Sequence, residues 1–333
     1  MKGVKQVSTA TASKMTNTPI NETKPVNKKN PEPKKKKDKK KIREALTGYG
    51  FMLPALLIML VFTLIPIFYS LFLSFTKVNL IGGVSYDWVG LKNYANALND
   101  ERVWIALKNT LRYVVIVVPL QTIIALLIAS VLNSGVRFQN TFRTIFFLPT
   151  LTSSSALTMI FMFLFSLNGP FNNILVEMGI IEAPINFINE TQFALNTIMV
   201  MNIWSTVPFF MTIYLAGLQD IPHSLYEAAD IDGANAWQKL IKITVPNLTP
   251  VTNYVLLMGI IGCFQLFDQA YIISGGSGGP NNATLTFSLI IYQYAFKTLG
   301  TMGYSAALAI ILTVIIFTVS MIARKVNREE TLY

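Results

Sequence analysis

A segment in the second half of the chain combines side chains that another protein could bind. It reads Glu227-Ala228-Ala229, followed after three residues by Gly233. The small side chains of Ala228 and Ala229 allow the backbone of a partner to approach closely, and the Glu227 carboxylate can accept two hydrogen bonds from one arginine. The chemistry that this pattern predicts is docking, not bond breaking.

The residues around that group predict two short helices in a loop. Asp220 is a candidate N-cap and Pro222 fits a first turn, so one helix is expected to start here. Gly233 permits the chain to reverse. A second helix is then expected over 234–243, ending before Pro246.

Polar side chains also interrupt two long apolar stretches. They are Asn202, Ser205, Thr206 and Phe209 in one stretch, and Phe264, Gln265 and Asp268 in the next. In each set the spacing predicts one side of a helix. Such residues either line a water-filled substrate cavity or join neighbouring helices. Both interpretations stay open, and Asp268 has the further alternative of reaching headgroup water at a helix end.

Several other chemistries are excluded by composition. One cysteine, Cys263, and one histidine, His223, rule out an intrachain disulfide and a multi-histidine metal site. Ser153-Ser154-Ser155 has no base nearby in sequence, as a serine nucleophile requires. The glycine-rich segment 275–279 is followed by Pro280 and lacks the lysine of a phosphate-binding loop. We therefore expect this chain not to be an enzyme.

The elements that carry these residues are predicted to be membrane helices. The 333 residues are 52% hydrophobic and 13% charged, which is atypical of a soluble protein. Six apolar stretches are long enough to cross a bilayer: 51–75, 113–132, 144–167, 197–218, 251–273 and 303–323. Backbone groups in lipid must be satisfied within each segment, so the predicted fold is an all-α integral membrane protein with six transmembrane helices.

The charge distribution predicts a basic tail and an orientation. Residues 1–44 hold 14 of the 27 Lys/Arg but 4 of the 17 Asp/Glu, so the net charge of +10 lies there and the body has no basic footprint for nucleic acid. Residues 1–47 are predicted to be a disordered cytoplasmic tail. Residues 48–326 form the transmembrane domain, with the loop 219–250 and the C-terminus 327–333 in the cytoplasm.

The docking segment closely resembles a known signature. Glu227-Ala228-Ala229, Gly233, Ile243 and Val245-Pro246 follow the EAA motif of permease subunits of ATP-binding cassette (ABC) importers, with valine in place of the usual leucine. Flanking residues are similar to the carbohydrate branch of that family, the type of the larger maltose permease subunit. They include Asn202-Ile203-Trp204, Gly217-Leu218-Gln219, Tyr271-Ile272-Ile273 and Gly278-Gly279-Pro280.

The resemblance implies an assembly with a division of labour. It implies a type I importer architecture with a second related permease, two ATPase subunits and an external solute-binding protein. ATP and magnesium would bind the ATPases, and this chain would bind no cofactor. The implied ATPase-docking residues are Tyr226, Glu227, Ala228, Ala229, Asp232, Gly233 and Pro246. The polar positions on the fourth and fifth predicted helices match those that contact sugar in the maltose permease.

Two other functions remain as alternatives to carbohydrate import. Importers of glycerol phosphate or a related polyol share this type of permease, although binding of a phosphate would require cationic groups that these helices lack. An ion-coupled secondary carrier would work without an ATPase, but it would usually show several buried acids or basic partners.

Overall fold

The computed structural model describes residues 34–79, 83–135 and 137–326 of the chain. The predicted tail up to residue 33 and the predicted cytoplasmic C-terminus 327–333 lie outside the described residues. The chain divides into two compact units, residues 1–61 and residues 62–333.

Helices dominate the described part of the chain. The α-helices are α1 (Lys34–Met59), α2 (Ile65–Ser74), α3 (Lys92–Asn99), α4 (Glu101–Asn133), α5 (Gln139–Phe147), α6 (Ser154–Leu164), α7 (Pro170–Glu177), α8 (Ala194–Gln219), α9 (His223–Ile231), α10 (Ala236–Lys239), α11 (Val245–Asn247), α12 (Thr249–Phe264), α13 (Asp268–Ser274), α14 (Phe287–Tyr292) and α15 (Met302–Val326). The π-helical turns are Leu60–Leu64, Leu240–Thr244 and Gln293–Lys297, and Leu148–Leu151 is a 3₁₀ helix. The strands β1 (Thr76–Asn79) and β2 (Ser85–Trp88) pair antiparallel, with Thr76 opposite Trp88.

Five helical segments in the described residues are long and apolar enough to cross a membrane, or six if one sharply bent pair forms a single span. The five are Lys40–Ser74, Glu101–Asn133, Ala194–Gln219, Thr249–Ser274 and Met302–Val326. The predicted helical membrane fold is therefore confirmed in its coarse form.

The described part of the tail is helical, not disordered. Helix α1 begins at Lys34, well before the predicted boundary at residue 47. Lysine is a good helix former, and no proline occurs between Pro33 and Pro54 to stop the helix. Lys40 and Glu44 also form an i, i+4 ion pair with an N–O distance of 3.9 Å. A high content of lysine therefore does not by itself exclude a helix in residues 34–47.

The third predicted span is not one helix. It consists of Thr141–Leu151 and Ser154–Leu164, which meet at an angle of 98°. Thr152 and Ser153 are extended between them, and the Ser153 hydroxyl caps α6 by accepting a hydrogen bond from the Ala156 amide at 3.3 Å. The serine run that precedes the apolar sequence therefore starts a new helix.

The fifth predicted span is also interrupted. Helix α12 ends at Phe264, and α13 begins at Asp268. Two hydroxyl groups at the start of α14, one from its N-cap residue and one from its first turn, satisfy carbonyls freed by this break. Thr286 Oγ1 donates to the Leu266 carbonyl at 2.8 Å, and Ser288 Oγ donates to the Phe264 carbonyl at 3.3 Å. Unpaired backbone groups at membrane depth are costly, so these hydroxyls make the break tolerable.

Helix α4 links the two main hydrophobic cores of the second unit. Its N-terminal half, including Ala106 and Val117, belongs to the larger core with Ile198 of α8. Its C-terminal residues Ala129 and Leu132 belong to the smaller core, which also contains residues from the C-terminal half of α8. With 33 residues, α4 is about 50 Å long, which exceeds a bilayer core of about 30 Å.

The start of α15 packs directly on the β1 backbone. A Cβ added at Gly303 would lie 1.9 Å from the Thr76 carbonyl oxygen, so only glycine fits there. Asn93 of α3 fixes the same strand, since its side-chain amide donates to the carbonyls of Ser74 and Thr76 at 2.9 and 3.0 Å. This end of the second unit is therefore closely packed.

Candidate functional site

The EAA segment folds as a helical hairpin, with α9 and α10 on either side of Gly233. The backbone of Gly233 has φ +73°, a conformation that L-residues with a side chain rarely adopt. Asn235 caps α10 in a reciprocal arrangement: its Oδ1 accepts from the Gln238 amide at 2.9 Å, and Gln238 Oε1 accepts from the Asn235 amide at 2.8 Å. The predicted reversal at Gly233 is confirmed.

Both predicted helix boundaries need correction. Pro222, not Asp220, occupies the N-cap position of α9, because Asp220 still terminates α8. The second helical segment does not stop before Pro246, which is in the first turn of α11. Proline is tolerated there because the amide of a first-turn residue needs no intrahelical acceptor.

The base of the hairpin is anchored to the smaller core. Ile221 and Leu248, which flank the hairpin, are 7% and 1% exposed. Between the two arms, the Tyr226 and Thr244 hydroxyls are hydrogen bonded at 2.9 Å, and Lys239 forms an ion pair with Asp230. Tyr226 is therefore partly buried and is engaged within the hairpin.

The exposed part of the hairpin includes a carboxylate, that of Glu227, which no described residue neutralises. Glu227, Ala228, Asp232 and Gly233 are exposed, whereas Ala229 is partly buried. Glu227 makes no hydrogen bond or ion pair with any residue that the structure describes. An exposed carboxylate on a fixed scaffold beside small side chains is suited to recognition by a basic partner.

The polar residues of α8 are partly used in helix packing. Thr206 Oγ1 lies 2.8 Å from Gln121 Oε1 of α4 and 2.8 Å from the Asn202 carbonyl. Ser205 Oγ donates to the same carbonyl at 3.0 Å, and Phe209 is 41% exposed. Asn202 Oδ1 is buried and has no hydrogen-bond partner among the described residues.

The three candidates on the fifth predicted span do not share one helix side. Phe264 is fully buried in the larger core, so its ring packs there and does not line a cavity. Gln265 follows the last residue of α12, and Asp268 is the first residue of α13. Both are exposed. The break in the span separates them because it interrupts the helical periodicity on which the prediction rested.

Sequence reasoning missed Gln121. Its side chain is 1% exposed, and its Nε2 has no nitrogen or oxygen partner among the described residues but faces the Cys263 thiol. A Cβ at Gly259 of α12 would lie 2.6 Å from that nitrogen, so the glycine makes room for the amide. A single glutamine within the apolar stretch 113–132 is the signal that identifies it. The bundle thus holds two amide atoms, on Gln121 and Asn202, without a nitrogen or oxygen partner among the described residues.

An apolar helical bundle with an exposed, anchored hairpin is the arrangement expected of a membrane permease. The chain belongs to the family of binding-protein-dependent transport system inner membrane components, which matches residues 121–330. It is 39% identical over 287 residues to the probable ABC transporter permease protein YesP of Bacillus subtilis (strain 168), covering 86% of this chain and 91% of that relative.

Other relatives agree with this assignment. The chain is 36% identical over 284 residues to the lactose transport system permease protein LacF of Rhizobium radiobacter, covering 85% of this chain and 94% of LacF. It also resembles a chain in the crystal structure of a bacterial alginate ABC transporter in complex with an alginate pentasaccharide-bound periplasmic protein. The TM-score is 0.76 at 21% identity, covering 88% of this chain and 98% of that one, which shows the fold. The predicted ABC permease family is confirmed, and the chain is a multi-pass membrane protein.

Proposed function

We propose that this permease imports a neutral mono- or oligosaccharide across the cytoplasmic membrane. Relatives are named for lactose, arabinooligosaccharide and trehalose/maltose transport. The polar side chains of Gln121, Asn202 and Thr206 inside the bundle agree with this substrate class, because amides and hydroxyls can both donate to and accept from sugar hydroxyls. The pathway residues include no lysine or arginine, which disfavours a phosphorylated polyol.

One observation supports the proposed coupling mechanism. The base of the hairpin is buried in the smaller core, while Glu227 is exposed and makes no hydrogen bond or ion pair with a described residue. In our proposal the hairpin docks in a cleft of a partner ATPase, where an arginine holds the Glu227 carboxylate. Ala228, Ala229 and Asp232 form the contact surface, Gly233 sets the reversal, and Tyr226 and Pro246 support it from within. ATP and magnesium bind the ATPase, and the motion of its cleft turns the helices between outward- and inward-facing states.

The proposed assembly contains this chain, a second permease, two ATPases and an external solute-binding protein. The bent pair α5–α6 counts as one span, which gives six spans and places both termini in the cytoplasm. The basic residues Arg324 and Lys325 at the end of α15 agree with this orientation. The substrate path follows Asn202, Ser205, Thr206 and Phe209 towards Gln265 and Asp268.

The test is co-purification and uptake. Tagged chain is extracted in mild detergent, bound proteins are identified by mass spectrometry, and uptake of radiolabelled lactose, maltose and arabinotriose is measured in cells. We expect a second permease and an ATPase to co-purify and at least one sugar to be imported. Glu227→Ala should stay in the membrane but lose the ATPase, because truncating one partner of a docked charge pair costs about 2–5 kcal/mol.

Glu182→Ala is the matched control, since Glu182 is also exposed but lies in a different loop. It should retain both the ATPase and uptake. Wild-type uptake by the Glu227→Ala, Gly233→Pro double variant would refute the coupling role. Uptake that persists after ATP depletion but stops when the ion gradient collapses would instead select a secondary carrier.

A further inference from the structure

A polar recess of about 500 Å³ lies in the second unit and shares no residue with the hairpin or with the proposed substrate path. Its lining includes Lys77 of β1, Asn96 and Asn99 of α3, Asp100, Tyr294 and Tyr304. The volume falls within the range of about 300–1,000 Å³ that is typical of small-molecule sites.

The floor of the recess is a fixed carboxylate. Asp100 Oδ2 accepts hydrogen bonds from the Tyr294 and Tyr304 hydroxyls at 2.8 and 2.9 Å, and Oδ1 accepts from the Arg102 amide at 2.9 Å. Burial and the Asp100 carboxylate raise the pKa of Tyr294, so its hydroxyl stays protonated at neutral pH. Each hydroxyl that donates to Asp100 keeps its oxygen lone pairs available to a ligand.

The walls carry polar groups that the fold leaves free. Lys77 and Asn96 are exposed, and neither has a side-chain hydrogen bond or ion pair with another described residue. Asn99 donates from Nδ2 to the Ala95 carbonyl at 3.0 Å, which leaves its oxygen as an acceptor. Thr301 donates to the Tyr294 carbonyl at 2.6 Å, which likewise leaves its oxygen able to accept. The recess therefore presents donors and acceptors side by side.

We infer that this recess is a second carbohydrate-binding site on the outer side of the permease. Its mixed donors and acceptors match the hydroxyl groups of a sugar, each of which both donates and accepts. A lone anion would face Asp100 and a lone cation would face Lys77, so a neutral polyhydroxylated ligand fits best. The core of a protein–protein interface is usually depleted of charged residues, whereas Lys77 and Asp100 both line this recess.

The inference rests on the proposed function for its orientation and for its class of ligand. Tyr304 is in the first turn of α15, at the opposite end of that helix from Arg324 and Lys325. The proposed cytoplasmic placement of those basic residues puts the recess outside. A sugar held there would sit on the permease itself, separate from the path between the helices.

Photoaffinity labelling tests the site. The complete transporter is purified without its binding protein and without ATP, then irradiated with diazirine derivatives of lactose, maltose and arabinotriose. Cross-linked peptides are mapped by mass spectrometry. We expect labelling of the peptides that contain Asn96 or Thr301, competed by the unlabelled sugar. Asn96→Leu with Thr301→Val should reduce this labelling about tenfold, since it removes two polar contacts.

Asn173→Leu is the matched control, because Asn173 is exposed on α7 and does not line the recess; it should label as wild type does. Equal labelling of the recess in wild type and double variant would overturn the inference. So would unlabelled recess peptides in a preparation that imports sugar, an outcome that leaves the proposed function intact. Absence of sugar uptake by the reconstituted wild type would instead refute the proposed function. A double variant that weakens only the affinity for the binding protein would identify a protein contact and overturn the sugar site.

Discussion

The carboxylates of Glu227 and Asp100 differ in the number of hydrogen bonds that they accept within the chain. Glu227 lies on an exposed helix and makes no hydrogen bond within the described chain, whereas Asp100 accepts three hydrogen bonds from its own neighbours. A carboxylate that is already satisfied stabilises the fold, while one left free is available to a partner. The comparison separates a structural end, around Asp100, from the end around Glu227, which we propose for coupling and call the coupling end.

The largest expected effect tests the rigidity of the structural end. Gly303→Ala places a Cβ 1.9 Å from the Thr76 carbonyl oxygen, so α15 must shift away from β1. We expect a loss of about 3 kcal/mol of stability, measured as thermal unfolding in detergent. Gly262→Ala is the control, because a Cβ at Gly262 meets no atom within 4 Å. Equal unfolding temperatures for the two variants would show that this end is not closely packed.

Removing the satisfied carboxylate is expected to have the next largest effect. Asp100→Ala leaves the Tyr294 and Tyr304 hydroxyls without their acceptor. The loss should be about 2 kcal/mol, again from thermal unfolding, and Tyr304→Phe should cost less because it removes only one of the hydrogen bonds. If Asp100→Ala unfolds at the wild-type temperature, Asp100 is not the structural counterpart of Glu227.

At the coupling end the matching substitution is Gly233→Ala. The added Cβ meets open space, so the expected cost of about 1.5 kcal/mol comes only from the positive φ of +73°. We expect a smaller fall in unfolding temperature than for Gly303→Ala, together with weaker retention of the ATPase during purification. Gly233→Asn should restore retention, because asparagine adopts this conformation more readily than alanine. Weakened retention in both variants alike would contradict this explanation.

A smaller effect is expected from the hydrogen bond between the hairpin arms. Tyr226→Phe removes the 2.9 Å contact with Thr244 and should destabilise the hairpin by about 1 kcal/mol. Hydrogen exchange of the α9 and α10 amides measures it. Tyr254→Phe is the control, since Tyr254 is an exposed residue of α12. Unchanged exchange in Tyr226→Phe would show that the hydrogen bond between Tyr226 and Thr244 does not stabilise the hairpin.

The smallest expected effect is a pH response of the structural end. Burial and Asp100 raise the pKa of Tyr294 above its ordinary value of 10.0. The contribution of its neutral hydroxyl is therefore complete below the unfolded-state pKa, and it is lost as pH rises through the folded-state pKa. Between about pH 6 and pH 9 we expect wild type and Tyr294→Phe to show parallel stability curves. Curves that diverge within this range would contradict the assignment.

The helical membrane fold and the hairpin were predictable because their signals are local. Long apolar runs identify spans, and the spacing from Glu227 to Pro246 identifies the reversal at Gly233. The 98° bend between α5 and α6 was not predicted, because a window long enough to identify a span averages over the short, largely polar run 150–155 that separates its two apolar halves. Hydropathy reports where a segment can lie, and not whether its backbone stays helical.

The candidate site was predictable only in part because several contacts join distant residues. Gln121 and Thr206 are 85 positions apart, so their 2.8 Å contact leaves no periodic pattern. Phe264 followed helical spacing with Gln265 and Asp268, but the helix ends at Phe264 and its ring packs into the core. The functional roles of the hairpin and pathway residues remain predictions that the experiments above test.

Helix α4 extends from the recess around Asp100 to the base of the hairpin. Asp100 caps its first turn within the recess, and Leu132 near its last turn packs in the same core as Ile221 and Leu248 at the base of the hairpin. One continuous rod of 33 residues thus ends in the recess on one side and beside the hairpin on the other. Any rigid displacement of the hairpin base that carries α4 with it therefore also moves Asp100 at the floor of the recess.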